Sequence, residues 1–254
     1  MSADAFYTRE ADALVATTLT RGPWHDAHQH GGPPAALVAR AMEQLVGDDW
    51  QCARFTIDFH RPLPIGAPLH TTAEVTRRGQ KILGLEGSIV ADGRPLARAS
   101  ALYVRTAAVE LPAHALPAPR PADPEALPPH HFEFFRWDVG YHTAVEGRRA
   151  EDGALWLRPR HPLVAGEPLT PLQRLLIVAD AINGVGFVLD FSRYSFVNAD
   201  LTLHLHRLPS GSWVQLAARH TSQPNGVGLV DALLFDVHGS IGHAFETQVV
   251  ARHG

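Results

Sequence analysis

The 254-residue chain has a single cysteine, Cys52, so no intramolecular disulfide can form. It also lacks an excess of either charge. Against 22 Lys and Arg stand 26 Asp and Glu, a formal net charge of -4. No basic stripe exists to neutralise phosphates, and nucleic acid is not expected as a partner. No apolar run approaches the roughly 20 residues that span a bilayer, the longest being broken by Asp180 or Asp190. No membrane association is expected. Met1 to Ala5 offers no basic stretch followed by an apolar one, so the expected compartment is the reducing cytoplasm. There is no G-x-S-x-G nucleophile elbow, and Gly184-Val185-Gly186 lacks the third glycine of a dinucleotide fingerprint. These absences argue against a serine hydrolase and a Rossmann enzyme. Sixteen histidines are present, but metal binding depends on spacing and partner ligands rather than abundance.

With 45% hydrophobic residues the chain can bury a sizeable core, and its pattern repeats at an offset near 146 residues. Phe55-Thr56-Ile57-Asp58-Phe59-His60-Arg61-Pro62 recurs as Leu201-Thr202-Leu203-His204-Leu205-His206-Arg207-Leu208. Apolar and polar residues alternate in both, as in a strand with one buried face. Each is followed by a Pro/Gly turn, two further alternating runs and a last strand, Ala97 to Arg105 or Ala244 to Arg252. Turns at Asp92-Gly93 and His238-Gly239 make each unit an antiparallel meander.

One helix is predicted ahead of each meander. The first begins at Gly31-Gly32-Pro33-Pro34 and runs to about Leu45. The second begins at Thr170-Pro171, an N-cap with proline in the first turn, and ends at Asn183-Gly184. It is apolar almost all round, which predicts burial against a sheet. Seven prolines between Leu111 and Pro129 read as an extended connector. The expected division is therefore residues 1–110, a linker at 111–129, and residues 130–254.

A helix wrapped by an antiparallel sheet, twice in one chain, resembles the double hotdog fold, and the motifs resemble the acyl-CoA thioesterase II (TesB-like) family. The residues that carry the resemblance are Gly31-Gly32, Phe59-His60-Arg61-Pro62, the acid in Val178-Ala179-Asp180-Ala181, and Gln248 in the last strand. It implies an α+β fold of two tandem repeats, each a long central helix wrapped by a curved sheet, with the sheets continuous. It also implies an acyl-CoA substrate, no metal and no cofactor, and a catalytic set of Asp180, Asn198 and Gln248 holding the attacking water. Asn198 stands where the best-known members carry threonine.

Such a water, partly deprotonated by a carboxylate, can attack a thioester without a covalent nucleophile. Asp180 lies among Ile177, Val178, Ala181 and Ile182, apolar neighbours that desolvate it and strengthen it as a base. Asn198 and Gln248 would orient the water. Backbone N–H groups at Gly31 and Gly32 are candidates to hold the developing oxyanion, with His30 as a further substrate contact. In the first copy the corresponding positions are Arg40, Cys52 and Ala101, so one active site per chain is expected.

The spacing of His25, His28 and His30 invites a zinc reading with Asp26, but no fourth ligand follows. Arg61 and Arg207 serve either structure or nucleotide phosphates. Phe134, Trp137, Phe187, Leu189 and Phe191 are candidates to set acyl length. Two other functions fit the same fold. One is a hydratase or dehydratase acting on acyl thioesters, which needs a histidine–acid pair. The other is a non-catalytic acyl-CoA-binding module. Exposed strand edges also allow a homodimer.

Overall fold

Two antiparallel helices form the centre of the protein, and their ends are tied together by polar contacts. The computed structural model describes residues 4–117, 122–187 and 189–253. Helix α1 spans Gly32–Glu43 and carries prolines in its first turn, where their missing N–H groups cost nothing. A four-residue helix, α2, spans Tyr141–Ala144. Helix α3 spans Pro171–Ala179 and opens on a capping box: Thr170 Oγ1 accepts from the Gln173 N–H, and the Gln173 side chain reaches back to Thr170. At Asp180 the chain tightens into a 3-10 turn, Asp180–Gly184. The expected helix to Asn183 is thus shorter, and Asp180 sits at its C-cap instead of within it.

Gly32 explains how closely the helices approach. A Cβ there would lie 2.1 Å from the carbonyl oxygen of Ile177, so only glycine fits at the crossing. At the other end, Glu43 accepts hydrogen bonds from Thr170 Oγ1 at 2.9 Å and Gln173 Nε2 at 2.7 Å. The start of each helix therefore meets the end of the other.

The strands are β1 (Tyr7–Glu10), β2 (Ala13–Ala16), β3 (Trp50–Phe59), β4 (Pro68–Arg78), β5 (Ile82–Ala91), β6 (Arg94–Arg105), β7 (Val145–Arg149), β8 (Leu155–Pro159), β9 (Tyr194–Asn198), β10 (Asp200–Leu205), β11 (Val214–Ser222), β12 (Val227–Asp236) and β13 (Gly239–Arg252). Their order is β1-β2-β4-β5-β6-β3-β10-β13-β12-β11-β8-β7, with β9 beside β13. All strand pairs are antiparallel. The order reads alike from either end. At its middle Thr56 of β3 pairs with Thr202 of β10, its own counterpart in the repeat, and their hydroxyls lie 3.2 Å apart.

The hairpins β1–β2 and β7–β8 at the two edges were not expected from the sequence. The connector after β6 holds two single 3-10 turns, Ala113–Ala115 and Pro124–Ala126. Pro119 and Pro121 lie outside the described residues. Among the described residues, no helix is long and apolar enough to cross a membrane.

Candidate active site

The tightening of the chain after α3 fixes Asp180 in a buried position, 1% exposed, where both carboxylate oxygens are held by donors. Oδ1 accepts from Asn198 Nδ2 at 2.7 Å. Oδ2 lies 2.8 Å from Nδ1 of His30, itself buried in the segment leading into α1. The Gly32 N–H also approaches this Nδ1, at 3.3 Å. One ring nitrogen cannot both donate and accept, and the shorter contact to a charged group is the stronger. We therefore assign the hydrogen to His30 Nδ1, donating to Asp180.

Tyr141 of α2 fixes that imidazole. The two rings stack 3.8 Å apart at an interplanar angle of 3°, and the Tyr141 hydroxyl donates to the Ile177 carbonyl at 3.0 Å. Burial, then the charge of Asp180, pushes the Tyr141 phenol well above its usual range, so it remains a donor. Gly31 lies directly against the acid. A Cβ there would stand 2.6 Å and 2.9 Å from the Asp180 oxygens and 2.7 Å from the Phe59 ring. Gly31 lines the same cavity, and its N–H makes no hydrogen bond among the described residues, so it is uncommitted within the fold.

That cavity measures about 350 Å³. Of its lining, Asp180 and Tyr141 are buried and Gly31 and Asn198 half-buried, while Trp24, Arg61 and Pro62 belong to its exposed rim. The rings of Phe134 and Phe191, stacked 4.4 Å apart, line it as well. Of the residues expected to set acyl length these two line the cavity. Trp137 instead donates through Nε1 to the Gly22 carbonyl. The three histidines of the H-x2-H-x-H motif part company. His25 and His28 stack at the rim, 4.2 Å apart, with His25 against Asp26, while His30 turns inward to Asp180.

Residues 20–104 match the acyl-CoA thioesterase N-terminal domain, and residues 110–249 match the acyl-CoA thioesterase C-terminal domain. The chain belongs to the acyl-CoA thioesterase family. It is a thioester hydrolase. Its fold is similar to that of the acyl-CoA thioesterase II TesB2 from Mycobacterium marinum, with a TM-score of 0.69 at 16% identity over 96% of this chain and 94% of that one. A Novosphingobium aromaticivorans protein provisionally assigned as a thioesterase gives a TM-score of 0.69 at 22% identity, covering 96% and 98% of the two chains. A hotdog-fold protein of unknown function from Alicyclobacillus acidocaldarius gives 0.67 at 15% identity, covering 99% and 97%. No curated protein matches the chain.

Two sequence-based assignments in this thioesterase change once the strand register is known. Gln248 is buried and lies opposite Asn198 across the β9–β13 pair, but its Nε2 has no hydrogen-bond partner and it does not line the cavity. Its counterpart in the first half is Tyr103 and not Ala101, because Tyr103 lies opposite Cys52 just as Gln248 lies opposite Asn198. A bulge between Cys52 and Arg54 shifts the register. Arg40, expected at the place of the acid, instead forms a bidentate pair with Glu167. Glu43 takes that place at the end of α1, near Cys52 and Tyr103, and is occupied in capping α3.

Glu246 is the site neighbour that sequence reasoning missed. It lies on the inward face of β13 two residues before Gln248, fully buried, and neither carboxyl oxygen has a partner. Burial, reinforced by Asp180 and Asp200, raises it well above the usual carboxylate range, so it is held as the neutral acid. A group raised in the folded state contributes its full stability below its unfolded value and loses it as pH rises toward the folded value. Above the unfolded carboxylate value of about 4.3, the protein should therefore lose stability from this group as pH rises. Glu246→Gln is expected to remove that dependence, so urea unfolding should show the variant gaining on the native protein as pH rises from about 5 toward neutrality. A stability difference that stays constant across that interval would mean that Glu246 is not held neutral.

Proposed function

We propose that this thioesterase hydrolyses acyl-CoA by attack of a water that Asp180 deprotonates, without a metal or a covalent acyl-enzyme. The observation that carries the reading is one buried carboxylate, lining a largely apolar cavity, whose two oxygens already hold donors from Asn198 and His30. Those donors fix the carboxylate's direction, leaving lone pairs free to accept a proton from water. As the water oxygen bonds to the thioester carbon, its proton passes to Asp180 and charge gathers on the carbonyl oxygen. The Gly31 N–H, at the start of α1, supports that charge. The intermediate then collapses with loss of the thiolate, which takes the proton back from Asp180. Gln248 in this reading supports the strand that carries Asn198 and lies behind the reacting atoms.

The same reading treats the chain as a double hotdog, with repeats at 1–110 and 130–254 joined by 111–129. The site draws on both: His30 and Gly31 from the first, Asp180 and Asn198 from the second. Release of free CoA thiol from a panel of acyl-CoA substrates tests it. Turnover of at least one member is expected, and no thiol release from any would sink the reading.

One observation favours a second reading. His30 and Asp180 form the histidine–acid pair that hydration of an enoyl thioester needs. With enoyl-CoA the hydrolytic reading expects thiol release, whereas loss of the double bond without thiol release would select the hydratase.

A further inference from the structure

The repeat shows which arginine is free to meet a ligand. Arg207, in the second half, is neutralised within the fold: it pairs with both oxygens of the fully buried Asp236, one at 2.7 Å, and donates to the Gly239 carbonyl at 2.9 Å. Its counterpart in the first half is Arg61. Asp236 and Gly239 face each other at the turn between β12 and β13, and Ala91 and Arg94 face each other at the matching turn between β5 and β6. The first half thus replaces a buried carboxylate with alanine and a glycine with a second arginine.

The result is a cationic groove at the cavity rim. A depression of about 520 Å³ is lined by His28, Arg61, Pro62, Pro64, Asp92 and Arg94, and it shares His28, Arg61 and Pro62 with the cavity that holds Asp180. Arg61 donates to the Pro95 carbonyl at 3.1 Å, which holds its guanidinium by the turn. Neither Arg61 nor Arg94 has an ion-pair partner among the described residues. Asp92, in the turn itself, is the one carboxylate of the groove, and burial and the neighbouring His25 lower His28 toward its neutral form. Two guanidiniums against one carboxylate leave a cationic spot on a protein of net charge -4.

We propose that this groove binds the phosphate-bearing nucleotide of coenzyme A, with Arg61 and Arg94 as its anion-binding residues. The inference rests on the acyl-CoA reading above and adds where the carrier sits. A substrate whose thioester reaches Asp180 must leave its carrier at the rim, and the groove that adjoins this rim carries the two unpaired guanidiniums. Guanidinium forks match phosphate oxygens in charge and in geometry. In the second half the same arginine is satisfied internally, so the nucleotide is bound once per chain.

The test is the double substitution Arg61→Ala with Arg94→Ala, compared with the native protein in two ways. Calorimetric titration with free coenzyme A reads the groove without any turnover. The variant is expected to bind roughly ten- to a hundredfold more weakly, the loss for two charge contacts that solvent screens at an open rim. Hydrolysis of acyl-CoA and of the matching acyl-pantetheine, which lacks the nucleotide, reads its use in catalysis. The KM for acyl-CoA should rise by a similar factor, with kcat and the whole acyl-pantetheine reaction unchanged. Dephospho-CoA thioesters divide the effect between the 3′-phosphate and the diphosphate. A phosphopantetheinyl carrier protein whose thioester loses as much as acyl-CoA in the variant would move the site from the nucleotide to the shared phosphate and overturn the proposal. Equal affinity of native and variant proteins for coenzyme A would also overturn it. Coenzyme A binding that depends on both arginines, with no hydrolysis of any thioester, would uphold the groove while removing the mechanism at Asp180.

Discussion

Asp180→Asn is expected to lower kcat by about 10²- to 10⁴-fold, the usual share of a general base, with KM for acyl-CoA near its native value. The substitution keeps the size and planarity of the side chain but removes the group that takes the proton from water. Its NH₂ also faces a donor, either Asn198 Nδ2 or His30 Nδ1, and one of these loses its acceptor. That costs about 1–3 kcal/mol of stability, so thermal unfolding must accompany the kinetics to show that the variant is folded at the assay temperature. A folded variant with native kcat would remove Asp180 from the chemistry.

Gly31→Ala should be nearly as damaging to activity, by displacing the acid instead of deleting it. The new methyl would fall within 3 Å of both Asp180 oxygens and of the Phe59 ring. Misplacing a reacting group by about an ångström costs on the order of 10²-fold in rate. Gly32→Ala should fail differently. Its methyl would meet backbone, the Ile177 carbonyl, which cannot rotate away. The helices must part, and the loss should appear in unfolding by heat or urea, at or above the roughly 1–3 kcal/mol typical of overpacking. Steady-state kinetics beside unfolding midpoints separate the two glycines: chiefly rate for Gly31, chiefly stability for Gly32. Native activity in a folded Gly31→Ala protein would contradict the close approach.

The parts of the fold that sequence made legible are those with a strong local rule. Period-2 alternation located β3 and β10, and Thr170-Pro171 marked the start of α3 through its cap. Asp180 stood out through the resemblance of Val178-Ala179-Asp180-Ala181 to the thioesterase II family, since an acid in an apolar helix is by itself more often an ion-paired or helix-end residue. Other features are set by long-range contacts. Four-residue strands such as Tyr7–Glu10 are too short to carry a period. The register of β3 on β6 puts Tyr103 opposite Cys52 and Ala101 opposite Phe55, and no local signal announces it. In β13 the usual rule is inverted: Glu246 and Gln248 face inward while Phe245 and Val249 face solvent, so alternation alone points to the wrong face. Among three nearby histidines, the one that meets the acid is stacked on Tyr141, over a hundred positions away in the chain.

Single-turnover hydrolysis of acyl-CoA in H₂¹⁸O, with enzyme in excess, tests the central claim most directly. If a water activated by Asp180 attacks the thioester carbon, the first turnover should place one ¹⁸O in the released acid and none in the peptide containing Asp180, both read by mass spectrometry. Label in the Asp180 carboxylate, with unlabelled acid released, would instead mean that Asp180 attacks the thioester itself, and the water-based account would be wrong.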